Sequence, residues 1–265
     1  MVSIDTLPDL ILRKLIAQLD NENTIGVMLS GSFARGEGGP YSDIDLWQYV
    51  REISANENEH LSLRIVDGYL VGIKLTTLEK ESTGLKNPEQ AIWVIPGLRQ
   101  ACILLDKDGS LAVLKETAVK ATWEPLQPAA NAYASWMLST NSEEVQKIID
   151  GLVQRNESKV LYATWGLTHG LANALLVQRG ILIPTENAYI DFAQAAAGRS
   201  SDWTRQFRLA VGLDRHPPEE LAFIGLGSAS LRLYCETVGL LQKILLPDDA
   251  VVVNRTMKII AEAGF

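Results

Sequence analysis

Two aspartates one residue apart, Asp43 and Asp45, alternate with apolar residues in Ser42-Asp43-Ile44-Asp45-Leu46. Period-two alternation is the pattern of a β-strand, with successive side chains on opposite faces. Ile44 and Leu46 then point into a core, and both carboxylates share the other face, about 6.6 Å apart along the backbone. Charges beside apolar neighbours in a central strand are costly unless they are paired or bound to metal. Upstream, the apolar run Ile25-Gly26-Val27-Met28-Leu29 predicts a buried strand that enters a turn of small residues, Ser30-Gly31-Ser32. The fold must therefore contain a sheet that carries a fixed acidic pair beside a glycine-serine turn.

The remaining pattern extends this into a mixed α/β segment. Leu7 to Leu19 has helical apolar spacing, with Asp5 or Thr6 as the expected cap. Further strands are predicted at Ile44–Val50, Leu61–Val66 and Tyr69–Leu75, with Asp67-Gly68 as the hairpin turn. Thr77 begins a helix to about Lys86, and Ile103-Leu104-Leu105 is a last strand closed by Asp106-Lys107-Asp108-Gly109. Trp123-Glu124-Pro125-Leu126-Gln127-Pro128 predicts an extended boundary between two prolines. Beyond it the chain turns helical: one helix capped at Ser142, one over Ser158–Gln178 ending at Arg179-Gly180, one opened by Pro217-Pro218-Glu219-Glu220 and running to Leu246, and one over Asp248–Ala263. The expected division is residues 1–122 and 123–265, an α+β domain followed by an all-helical bundle.

Composition narrows the function. The net charge is −8, and residues 1–125 carry most of it, with 12 basic against 18 acidic residues. No basic footprint for nucleic acid is present. No apolar run reaches the ~20 residues of a membrane helix, and the start of the chain lacks the pattern of a secretory signal. A cytoplasmic setting follows as the expectation. Cys102 and Cys235 lie far apart in apolar surroundings without metal-type spacing, and are expected to be buried thiols. The tryptophans are assigned to packing, and His169 to a satisfied place in the core. His60 and His216 stand in polar loop-like segments without a chemical signal.

Gly31 permits close approach of a ligand, the Ser32 hydroxyl can donate to a phosphate, and backbone N–H groups at such a turn can cradle phosphate oxygens. Two carboxylates at the spacing of Asp43 and Asp45 can hold hard cations. No Gly-Lys-Ser/Thr follows the turn, which excludes a P-loop.

The stretch from Gly31 to Leu46 resembles the signature of the polymerase-β-type nucleotidyltransferase superfamily: Gly-Ser, a spacer, then Ser-Asp-x-Asp. Ala34-Arg35-Gly36 and Tyr41-Ser42-Asp43-Ile44-Asp45-Leu46 are most similar to the minimal and the aminoglycoside nucleotidyltransferases. The resemblance implies a nucleotidyltransferase fold that binds Mg2+ through Asp43 and Asp45, with a nucleoside triphosphate, expected to be ATP, on Gly31 and Ser32. A hydroxyl of a small-molecule acceptor would then attack the α-phosphorus and release pyrophosphate. Ser42 braces the strand start, and Arg35, Lys74 and Lys159 are the cations offered to the phosphates. A homodimer that completes the cleft is a further possibility raised by such relatives.

The family places a third carboxylate between two β-branched residues of a later strand. The matching place here is Val71-Gly72-Ile73, where Gly72 has no side chain. Asp67 belongs to a turn, and Glu79 begins the following helix. Two further readings therefore stand beside the transferase: a nucleotide-binding module without turnover, and a protein-modifying or antitoxin-like nucleotidyltransferase.

Overall fold

The computed structural model describes residues 9–215 and 222–265, and the chain divides into two compact units, Met1–Thr122 and Trp123–Phe265. The caps expected at Asp5 or Thr6, the helix opening at Pro217–Glu220 and His216 lie outside the described residues.

The first unit runs α1 (Asp9–Leu19), β1 (Thr24–Ser30), the single turn α2 (Gly31–Ala34), β2 (Ile44–Val50), β3 (Leu61–Val66), β4 (Tyr69–Thr76), α3 (Leu78–Gly84), α4 (Pro88–Gln100), β5 (Cys102–Asp106) and α5 (Ser110–Lys120). The five strands form one sheet in the order β3-β4-β2-β1-β5. β2 and β4 run parallel, and the other pairs run antiparallel. The parallel pair needs a long crossover. It sets Asp45 opposite Gly72, Trp47 opposite Lys74 and Tyr49 opposite Thr76.

Alternation divides the sheet as the sequence requires. Ile44, Leu46, Val71 and Ile73 join Val27, Leu29 and the apolar stripe of α1 in one buried cluster. Each large aliphatic side chain fully buried there contributes about 1.5–3 kcal/mol. The end of α1 is fixed by buried polar partners. The Thr24 hydroxyl and the Gln48 amide both donate to the Leu19 carbonyl, at 2.6 and 2.9 Å. On the opposite face Trp47 lies so close to α4 that a Cβ on Gly97 would stand 2.8 Å from its ring. β3 is an outer strand, and its Leu61, Leu63 and Ile65 side chains are exposed.

Two helices of this unit, α4 and α5, are absent from the sequence pattern given above. α4 carries an internal proline, Pro96, which argues against a helix. The buried stripe of Ala91, Ile92, Ile95 and Leu98 holds it nonetheless.

The second unit is helical: α6 (Gln127–Thr140), α7 (Ser142–Gln154), α8 (Glu157–Gln178), α9 (Tyr189–Ala197), α10 (Asp202–Ala210), α11 (Ala222–Leu241) and α12 (Pro247–Glu262). The segment predicted as extended between prolines is instead a 3-10 turn, Glu124–Leu126, that leads directly into α6. Both prolines sit in first turns, where the missing N–H costs nothing. α8 has the length and apolar composition of a membrane span, with 67% of its most apolar window buried inside the chain. That burial is the pattern of a core helix.

Several buried polar groups between the helices are paired, whereas Trp123 Nε1, Glu144 Oε2, Thr164 Oγ1 and Gln206 Oε1 are buried without a hydrogen-bond partner. The Tyr234 hydroxyl donates to the Leu138 carbonyl at 3.0 Å and meets the Ser142 hydroxyl at 3.1 Å. The Trp203 indole donates to the Thr237 hydroxyl at 2.9 Å. Trp203 is buried, whereas Trp136 and Trp165 are exposed. His169 is exposed and stacks on Tyr189 at 5.4 Å between centroids, which corrects its expected place in the core. Cys102 and Cys235 are free and only half-buried.

Candidate active site in the first unit

β1 ends at Ser30, which pairs with Asp45 across the antiparallel ladder. The chain then turns through Gly31 at φ +65°, a left-handed conformation that favours glycine. Space adds a second requirement at this position. A Cβ on Gly31 would lie 1.9 Å from Asp45 Oδ2, so a side chain there and the carboxylate exclude each other. On the other side, a Cβ on Gly72 would lie 3.5 Å from Asp45 Oδ1, an ordinary contact. The Asp45 carboxylate thus lies between two positions without side chains, Gly31 just past the end of β1 and Gly72 on β4. Leu63 closes the far side of Gly72, its Cδ2 3.6 Å from the same point.

Ser32 lies in α2, where its carbonyl accepts the N–H groups of Arg35 and Glu37 and closes the turn. Arg35 is bound to Glu37 at 2.7 Å. Asp43 stands one residue before β2, half-buried, and Ser42 Oγ accepts the Gly39 N–H at 2.9 Å. That bond pins the loop that delivers Asp43 to the strand. Gly31, Ser32, Ser42, Asp43 and Asp45 are therefore brought to one edge of the sheet by the C-terminal end of β1 and the N-terminal end of β2. A cleft of about 710 Å³ opens at the same edge, between the Gly38–Ser42 loop with Phe33 and the Ile65–Leu70 hairpin. Asp67 lines it and is tied to Lys14 at 2.8 Å.

The two lysines singled out in the sequence are both in ion pairs. Lys159 begins α8 in the second unit, and its amine is bound by Asp150. Lys74 is bound by Glu81 at 2.9 Å and lies over the Trp47 ring, 4.9 Å from its centroid. Glu81 is the residue the sequence analysis missed. It is 3% exposed, and the Thr76 hydroxyl donates to the same carboxylate oxygen at 2.9 Å. The signal was its spacing from Leu78 and Leu85, which puts a glutamate on the inward stripe of α3. Glu79, by contrast, points to solvent. Next along the ladder, the Tyr49 hydroxyl is fully buried without a hydrogen-bond partner. Burial first, and the Glu81 charge second, push its pKa far above the ordinary value.

Among the described residues, no group of three or more His, Cys, Asp or Glu side chains is arranged to hold a metal ion. A two-carboxylate donor set fits magnesium, which is commonly held by one or two carboxylates together with substrate phosphates and waters. The space that a Cβ on Gly31 would fill is taken by the Asp45 carboxylate itself.

Residues 11–90 match the family model of the nucleotidyltransferase domain. Among solved structures, the chain is similar to a nucleotidyltransferase-like protein from Exiguobacterium sibiricum. The identity is 13% and the TM-score 0.51, with 96% of this chain and 80% of that one covered. A comparison with curated proteins finds no match. Residues 11–90 are thus similar to the nucleotidyltransferase domain, and the chain shares its fold with a nucleotidyltransferase-like protein.

Proposed function

We propose that this protein transfers a nucleoside monophosphate from an NTP, expected to be ATP, to a hydroxyl of a small-molecule acceptor in a cytoplasmic setting. The observation that supports it is the Asp45 carboxylate set between Gly31 and Gly72, at the edge where Gly31-Ser32 would meet the β- and γ-phosphates. Asp43 and Asp45 would hold magnesium, which supplies charge stabilisation on the transferring phosphoryl group. Ser32 donates to phosphate, and Ser42 holds the loop before Asp43. Arg35 and Lys74 are this unit's cations offered to the triphosphate, and each shares its charge with a carboxylate, Glu37 and Glu81 respectively. The cleft beside Ser42 is the acceptor's place in this reading, since its volume suits a small molecule. The acceptor oxygen forms a bond to the α-phosphorus and its proton passes to solvent, while the bond to the β,γ-diphosphate breaks and pyrophosphate leaves with the electron pair.

Gly72 favours a second reading, a nucleotide-binding module that does not turn over. Its place opposite Asp45 leaves a neighbouring carboxylate off that strand. The two readings separate in one assay. A transferase releases pyrophosphate from ATP or another NTP with magnesium when supplied with an acceptor. A binding module is stabilised thermally by NTP with magnesium, as mass action requires, without release of pyrophosphate. The variant Asp43→Asn/Asp45→Asn should lose magnesium-dependent stabilisation in either case, and unchanged stabilisation would remove both aspartates from the site.

A further inference from the structure

On the strand face that carries Asp45, the parallel register stacks three cross-strand pairs: Asp45 with Gly72, Trp47 with Lys74, and Tyr49 with Thr76. Lys74 is thus one pleat from the Asp45–Gly72 pair, on the same face. Its ammonium is fixed by two independent contacts, the Glu81 carboxylate at 2.9 Å and the Trp47 ring at 4.9 Å. The anchor does not move easily. Glu81 is 3% exposed, against 39% for the Lys74 side chain, and Thr76 holds the same oxygen. A buried carboxylate stripped of its counter-charge is strongly disfavoured, so Glu81 keeps its lysine. A lysine ammonium has three donors. One is engaged by Glu81, and the exposed part of the side chain leaves the others available to an incoming anion.

We propose that Glu81 is a positioning residue that presents Lys74 to the triphosphate of the bound nucleotide; this rests on the nucleotidyltransferase reading above. A free lysine loses rotamer entropy when it is ordered. Here the pair has already fixed the side chain before the ligand arrives, so less is lost on binding. The chemistry recognised is that of the β- and γ-phosphates, and the nucleobase plays no part.

The test is calorimetric titration of the full chain with ATP and magnesium, and separately with AMP, for wild type, Lys74→Met, Glu81→Gln and the double variant. Lys74→Met keeps an apolar stem over Trp47 and removes the charge. It should weaken ATP about tenfold and leave AMP unchanged. Glu81→Gln should weaken ATP by a smaller factor, and should add nothing in the Lys74→Met background. If Glu81→Gln lowers only the thermal midpoint, the pair is structural and the proposal fails. It also fails if Glu81→Gln tightens ATP, since Glu81 would then be a competitor for the lysine, or if its effect persists without Lys74. A wild-type chain that binds no NTP with magnesium overturns the nucleotide site itself, and the proposal falls with it. Binding that is intact and indifferent to Lys74→Met overturns this proposal alone.

Discussion

Close approach to glycine serves different ends in the two units. At Gly31 the atom that would meet a Cβ is a carboxylate oxygen of Asp45, 1.9 Å away. At Gly227 in α11 the atoms are aliphatic: Val160 Cγ1 at 2.8 Å and Ile148 Cγ2 at 3.2 Å. The first glycine clears space around a charged group at a sheet edge, and the second lets helices of the bundle approach. Buried hydroxyls differ in the same sense. Tyr49 in the α/β unit keeps an unpartnered hydroxyl beside a buried glutamate, whereas the hydroxyl of Tyr234 in the helical unit is fully engaged. These two tyrosines thus differ in how their hydroxyls are paired, although the helical unit also buries unpartnered polar atoms, at Trp123, Glu144, Thr164 and Gln206.

The same substitution in both places breaks this comparison most sharply. Gly31→Ala forces an L-residue into positive φ and drives the Asp45 carboxylate aside. A displacement of about 1 Å at such a site costs on the order of 10²-fold in rate. Magnesium-dependent release of pyrophosphate should fall by that order, and a rate within a fewfold of wild type would separate Asp45 from the reaction. Gly227→Ala should instead cost about 1–3 kcal/mol of stability through overpacking, measured by urea denaturation. An unchanged denaturation midpoint would mean that the helices part without penalty.

The tyrosines sharpen the comparison further. Tyr234→Phe loses a satisfied hydroxyl and should destabilise by about 1 kcal/mol, whereas Tyr49→Phe removes an unsatisfied one and should be neutral or stabilising. Denaturation of the pair at neutral pH decides it, and equal losses would erase the contrast. Tyr234 also gives a pH signature. Burial pushes its pKa from the ordinary 10.0 up to about 12. The fold therefore favours the protonated phenol, and this part of the stability is complete below pH 10 and is lost as pH rises toward 12. In Tyr234→Phe, stability across that window should fall less steeply. The smallest expected effect is that of Gly72→Asp. A Cβ fits there, and a second carboxylate opposite Asp45 should destabilise the chain by roughly 0.2–1 kcal/mol without magnesium. Added magnesium should reverse the loss, and a variant that magnesium leaves unimproved would deny this edge a cation.

Much of the first unit was legible because strand alternation is local. β2 and β3 have the predicted bounds, and the acidic face of β2 follows from which residues neighbour Asp45 in sequence. What was not legible depends on contacts distant in the chain. That Gly31 and Gly72 bracket one carboxylate needs the register of three strands. Glu81 reads as an ordinary helix charge until Lys74 and Thr76 are brought to it from β4. Pro96 hid α4 and Pro125-Leu126-Gln127-Pro128 hid the start of α6, because proline marks the first turn of a helix and a break with the same letter. His169 was assigned to the core from its apolar neighbours, but its own position on α8 faces outward.

The outer strand β3 has a practical consequence. Among the described residues its backbone pairs only with β4, and Leu61, Leu63 and Ile65 stand exposed along it. Arg64 is the sole charge along it. Such a rim invites molecules to add strand to strand, so crowding during purification and storage will be limited here before it is limited by the acidic surface elsewhere. A lysine at Ile65 would blunt that growth.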